Sequence, residues 1–198
     1  MRSAPPSRLR HLPNALTILR LLMAVPIAAL VVADQGVAAM SLFIAAGASD
    51  GVDGWLAKRY GWQTQLGGWL DPLADKALVL SVCTALMLHG DLPRWLFALI
   101  AMRDLVIVGG AVTFHFSFAP LHAAPTLLGK LTTLAMLVLV ITLLWHNISG
   151  DVAVWLVDGL VYVCAALLLV SGIDYVRRWS AKARRISRQT PPPPEMRS

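Results

Sequence analysis

The sequence predicts an all-α integral membrane protein built as a six-transmembrane-helix bundle, and three observations carry that prediction. Hydrophobic residues fill 57% of the 198 positions and charged residues only 14%, where a soluble domain carries about 25% charge. Six apolar runs reach the roughly 20 residues needed to cross a bilayer. The basic residues then collect on one side of the resulting map.

The first run, 14–33, follows Arg8 and Arg10 in the manner of a signal peptide. It is longer than an ordinary h-region and Arg20 interrupts it, so an uncleaved helix is expected, with Asn14 or Thr17 placed to cap it. The second and third runs, 37–57 and 69–89, carry aspartates at their facing ends and are expected to join through a turn around Gly61 and Gly67. The fourth, 95–115, contains Arg103, and the fifth, 127–146, contains Lys130 near its start. The sixth covers 153–175. Tryptophans near the span ends fit an interfacial belt. Cys83 and Cys164 sit within apolar spans without companion ligands and read as packed small residues.

Arg2, Arg8, Arg10, Lys58, Arg59, Arg177, Arg178 and the tail arginines share one side, and Arg94 lies clearly on the other. Both termini and the 58–68 turn are therefore expected in the cytoplasm. The net charge of +6 is explained by attraction to anionic headgroups, so nucleic acid is not expected as a partner. A single domain over 1–198 is expected, with a membrane core at about 12–178 and a disordered basic, Pro-rich tail from about 182.

Asp50, Asp53, Asp71 and Asp75 fall within 26 residues of otherwise membrane-like sequence. A carboxylate near a bilayer is costly unless paired, hydrated or bound to a metal. Asp50 and Asp53 are three apart, and Asp71 and Asp75 four apart, so each pair shares one helix face. Such a set of hard oxygen ligands suits Mg²⁺ or Mn²⁺ together with substrate phosphates. Two divalent ions on shared carboxylates are the usual device for displacement at phosphorus. The chemistry is thus expected at a cytoplasmic-side active site.

The order Asp-x2-Asp-Gly-x2-Ala-Arg-x8-Gly-x3-Asp-x3-Asp is the signature of the CDP-alcohol phosphatidyltransferases. This chain resembles it at Asp50, Asp53, Gly54, Ala57, Lys58, Gly67, Asp71 and Asp75, seven of the eight in residue type. Lys58 departs from the family's arginine; it keeps the charge but not the planar fork. The resemblance implies transfer of a phosphatidyl group from CDP-diacylglycerol to an alcohol with release of CMP. It implies that Asp50, Asp53, Asp71 and Asp75 hold two Mg²⁺ or Mn²⁺ ions. Asp50, Asp53, Gly54, Ala57, Lys58, Gly67 and Asp71 would bind the CDP moiety, and Asp75 would also act as general base on the acceptor hydroxyl. Arg103 and Lys130 resemble acceptor-site cations of the fourth and fifth helices. Asn14, Thr17 and Arg20 resemble the family's first-helix opening, which adds Arg20 to the acceptor candidates. Location in the cell inner membrane and a homodimer are also typical of the family.

The Pro72-Leu-Ala-Asp75-Lys76 sequence resembles the branch that makes phosphatidylglycerol phosphate and cardiolipin. Enzymes using glycerol 3-phosphate typically follow the fourth-helix arginine with a second one two turns later. Here that position is Ala111, preceded by Gly109 and Gly110. The missing cation favours phosphatidylglycerol as acceptor, with glycerol 3-phosphate as the alternative, and the small residues at 109–111 are expected to leave room for a bulky lipid. A transporter with an acidic ion pathway is the reading from another class, but these acids lie near one face rather than at the midplane. An inactive scaffold is disfavoured because all four aspartates are present.

Overall fold

The computed structural model describes residues 12–60, 65–117 and 126–189; within these helices, side chains are described at 17–49, 51, 73–110 and 126–180. The chain forms α1 (Leu12–Val32), α2 (Gly36–Tyr60), α3 (Gln65–His89), α4 (Arg94–Ser117), α5 (Leu127–Ser149) and α6 (Val154–Gln189). There is no strand among the described residues. Each predicted run lies on one of these helices. Glycines close two of the helices, α3 and α5.

Gly90 ends α3 with φ 106° and Gly150 ends α5 with φ 68°, conformations that cost a glycine little. The Gly150 N–H donates to the His146 carbonyl at 2.8 Å, and Thr126 accepts from the Gly129 N–H at 3.1 Å to cap the start of α5. Three of the expected boundaries move. Asn14 and Thr17 both lie inside α1, two and five residues after Leu12, so neither is its N-cap. Gly67 belongs to the first turn of α3 rather than to the turn before it. The helix of α6 continues to Gln189, past the expected start of the tail, because the Ala-, Lys- and Arg-rich sequence after Trp179 favours helix.

Helix α1 packs against α3 and α2, α5 against α6 and α2, and α6 against α4. Ile27, Val82, Leu86, Leu96, Leu139, Leu143 and Leu168 are almost fully buried between them. The outward faces are apolar too: Leu22, Val25, Leu105, Leu127 and Trp155 are exposed. Helices apolar on both faces belong in a lipid environment. Among the described residues, α5 and the Val154–Ser180 part of α6 are each long and apolar enough to cross a membrane. Shorter apolar runs occupy Thr17–Val32 and Gly36–Ser49. Among the residues that interrupt the apolar pattern in α1 to α4, Arg20, Asp50, Asp75 and Arg103 are singled out above for chemistry.

Candidate active site

Arg20 of α1 and Asp75 of α3 meet at 2.6 Å, Nη1 donating to Oδ1. The Arg20 side chain is 3% exposed and that of Asp75 48%, so a buried cation holds a carboxylate that water and substrate can reach. Lys76 follows Asp75 in sequence but points elsewhere, because successive helical residues do not share a face. Its Nζ donates to Asp104 Oδ1 of α4 at 2.5 Å. The same oxygen accepts from Arg103 Nη1 at 2.8 Å, and Arg103 Nη2 lies 3.3 Å from Ser171 Oγ of α6. Asp104 therefore ties α3 to α4, while Arg103 ties α4 to α6.

The first turn of α5 closes on the same group. A Cβ at Gly129 would stand 3.9 Å from Arg103 Nη2, at ordinary contact distance, so the start of α5 packs beside the guanidinium. Lys130 is the next residue, and its side chain is exposed. Arg20 and Arg103 are thus brought into polar networks that include Asp75 and its sequence neighbour Lys76, while Lys130 stands at the edge. Ser171 and the bridging role of Asp104 were not read from the sequence. A serine inside an apolar helix gives no signal of its own, and Asp104 was legible as a natural partner of Arg103 but not as the acceptor for Lys76.

The backbone places Asp50, Asp53, Gly54, Ala57 and Lys58 in α2, and Gly67 and Asp71 in α3; their side chains lie outside the described residues. Helical periodicity keeps Asp50 with Asp53 and Asp71 with Asp75 on one face of their helices. Farther along α4, the expected space at 109–111 is only partly present. Among the described residues a Cβ at Gly109 would meet nothing within 4 Å, but one at Gly110 would stand 3.3 Å from the Tyr175 ring. Tyr175 of α6 lies across it and donates to the Ile107 carbonyl at 2.9 Å. Gly110 therefore serves helix packing, and the Ala111 side chain lies outside the described residues.

The sequence model of the family described as CDP-alcohol phosphatidyltransferase matches residues 10–177. The chain belongs to that family. This phosphatidyltransferase is 36% identical over 182 residues to a Mycobacterium tuberculosis protein named "Probable phosphatidylglycerophosphate synthase", covering 87% of this chain and 83% of the relative. It is 29% identical over 189 residues to the Bacillus subtilis CDP-diacylglycerol--glycerol-3-phosphate 3-phosphatidyltransferase, covering 86% and 96%. It is also 31% identical over 179 residues to a Schizosaccharomyces pombe protein named as a fusion of CMP-forming cardiolipin synthase and a mitochondrial hydrolase, covering 83% of this chain and 30% of that one. The family assigns the protein to phospholipid biosynthesis as a transferase.

Proposed function

We propose that this phosphatidyltransferase transfers the phosphatidyl group of CDP-diacylglycerol to the free primary hydroxyl of phosphatidylglycerol, giving cardiolipin and CMP. The observation that carries the choice of acceptor is the small number of cations beside Arg103. Each of its Nη atoms makes a hydrogen bond within the chain, to Asp104 and to Ser171, and the residue two turns later is Ala111. A dianionic glycerol 3-phosphate asks for several charge-assisted donors; the single negative charge of a phosphodiester asks for fewer.

In this reading six helices span the inner membrane as a single domain, with both termini and the expected 58–68 turn on the cytoplasmic side. The concentration of basic residues at that end supports the orientation. Asp75 takes the proton from the acceptor hydroxyl, whose oxygen forms the new bond to the β-phosphorus of the donor as the bond to CMP breaks. Its half exposure suits that role, and Arg20 fixes the orientation of the carboxylate. Asp50, Asp53 and Asp71, with Gly54, Ala57, Lys58 and Gly67, surround the CDP moiety. The donor set, four carboxylates at helical spacing, fits Mg²⁺ or Mn²⁺, and these residues would hold two such ions, which supply charge neutralisation on the pyrophosphate.

The names and coverage of the M. tuberculosis and B. subtilis relatives favour a second reading, in which glycerol 3-phosphate is the acceptor. Arg20, Lys130 and the Lys58–Arg59 pair would then supply the phosphate contacts. Purified protein with CDP-diacylglycerol and Mn²⁺ or Mg²⁺ is offered phosphatidylglycerol and glycerol 3-phosphate separately, and CMP and lipid products are followed. Cardiolipin from phosphatidylglycerol is the expected result. Phosphatidylglycerol phosphate as the only product would reassign the acceptor and leave the donor chemistry in place.

A further inference from the structure

Helix α6 is longer than a membrane span requires. Its 36 residues reach about 54 Å at about 1.5 Å per residue, against a hydrocarbon core of about 30 Å. The apolar section is Val154–Ser180, and helical backbone continues through 181–189. From Arg177 to Gln189 the basic residues are Arg177, Arg178, Lys182, Arg184, Arg185 and Arg188, and there is no acidic one. At helical spacing Arg177, Arg184 and Arg188 fall in one row, and Arg178, Lys182 and Arg185 in the adjacent row. Tyr175, Trp179, Ala183 and Ile186 take the side opposite the first row. A wide basic side with a narrow apolar one is the pattern of a helix that rests on a charged membrane surface.

We infer that 177–189 is a docking surface for anionic phospholipid of the surrounding bilayer. The extension leaves the bundle at the end proposed for the chemistry, since Ser171 of α6 meets Arg103, which shares Asp104 with Lys76 beside Asp75. Tyr175 and Trp179 mark the level of its exit. Their ring centroids are 5.1 Å apart, and Tyr175 still donates to the Ile107 carbonyl of α4; paired aromatics of this kind suit headgroup depth. Arg177 and Arg178 are exposed there, with Arg178 Nε donating to Asp174 at 2.9 Å. Along a straight helix Lys182, Arg184 and Arg185 stand about 3–8 Å past the apolar section, inside the roughly 8 Å screening length of physiological salt. Charge complementarity chooses the occupant. CDP-diacylglycerol carries a pyrophosphate, and phosphatidylglycerol and its phosphate are anionic too, so negative lipid belongs at this end under either acceptor. The inference therefore does not depend on which alcohol is used.

Cys83 and Cys164 are buried, so Ile186→Cys in the full chain takes a nitroxide label at one place, with labelled wild type as the blank. Collision of the label with oxygen, which enters the bilayer, and with a nickel chelate, which stays in water, is compared in two kinds of nanodisc. One is phosphatidylcholine alone and the other an equal mixture with phosphatidylglycerol. Each basic residue near an anionic surface shifts the docking equilibrium about fivefold, so Lys182, Arg184, Arg185 and Arg188 together shift it by about 10²–10³. The oxygen-to-nickel ratio should be high in the anionic discs and low in phosphatidylcholine. It should fall again at about 1 M salt, where the screening length is about 3 Å. It should also fall in a Lys182→Gln, Arg184→Gln, Arg185→Gln, Arg188→Gln variant. A label in water in both discs would make the extension a solvated helix. A label shielded in both, or still shielded in the fourfold variant, would show that its apolar side or the bundle holds it. Shielding by added polyadenylate but not by anionic discs would give the surface to nucleic acid, and spin–spin broadening with the shielding would give it to a second copy. Each of these four results overturns the inference. The lipid and salt arms keep the native charges, so they decide the matter should the fourfold variant not fold. No arm reads transfer activity, so failure here leaves the proposed reaction standing.

Discussion

Asp75 and Arg20 depend on each other unequally. The arginine is almost completely buried and needs an acceptor, whereas the carboxylate is about half solvated and could find water instead. Asp75→Asn keeps an Oδ1 for Arg20 to donate to, so the fold should survive with a thermal midpoint close to wild type. Turnover should fall by about 10²–10⁴-fold, the usual contribution of a positioned base. Retained turnover in a folded Asp75→Asn protein would remove it from that role. Arg20→Met is the converse case. It deletes a hydrogen bond between charged groups, worth about 1.5–3 kcal/mol when sheltered; the exposure of Asp75 discounts this to about 1 kcal/mol. Thermal unfolding in detergent measures that part, and kcat measures whether the guanidinium also orients the carboxylate. A wild-type kcat would assign the pair to folding alone.

Helix contacts show why part of the molecule was legible in its sequence and part was not. The six helices follow from apolar runs and the breakers between them, and the motif acids from their spacing. Which cation meets which acid across helices does not follow, because it depends on how each helix is rotated. Lys76 adjoins Asp75 in sequence yet bonds Asp104, and Arg20, 55 residues away, takes Asp75 instead. The glycines make the same point, since no local pattern separates those under a neighbour from those in the open. A Cβ at Gly36, where α2 begins, would stand 2.9 Å from Ile148 Cγ1 of α5, while one at Gly47 would meet nothing within 4 Å. Gly36→Val should therefore cost about 1–3 kcal/mol through overpacking. Gly47→Ala should instead add up to about 1 kcal/mol from helix propensity. Melting curves of the two variants in one detergent check both signs, and equal effects would mean that the α2–α5 contact is not what sets the cost.

The described residues tie the molecule at two ends, and the proposed chemistry belongs to the one holding Asp75. At the other end the connections between helices are held by His89, the last residue of α3, whose partners Asp34 and Asp91 lie in the loops beyond the helix ends. Its Nε2 lies 2.6 Å from Asp34 Oδ1 and its Nδ1 2.7 Å from Asp91 Oδ2. Asn147 of α5 donates to that same Asp91 oxygen at 2.7 Å. Both ring nitrogens face carboxylates, and both can donate only when the imidazole is protonated. The hydrogen bonds to Asp34 and then to Asp91 accordingly raise the His89 pKa above its ordinary 6.5. Because the folded value is the higher one, the stabilisation is fully present below about pH 6.5 and is lost as pH rises through the folded value. Asp34 is 80% exposed and Asp91 17%, so solvent screens the first contact and the second should carry more of the effect. The thermal midpoint should fall as the buffer is taken from mildly acidic to alkaline pH, and His89→Gln should flatten that slope while leaving transfer activity in place. A slope unchanged in His89→Gln would mean that another group governs the pH dependence, and that this clamp contributes nothing measurable to holding the α1–α2 and α3–α4 loops against α5.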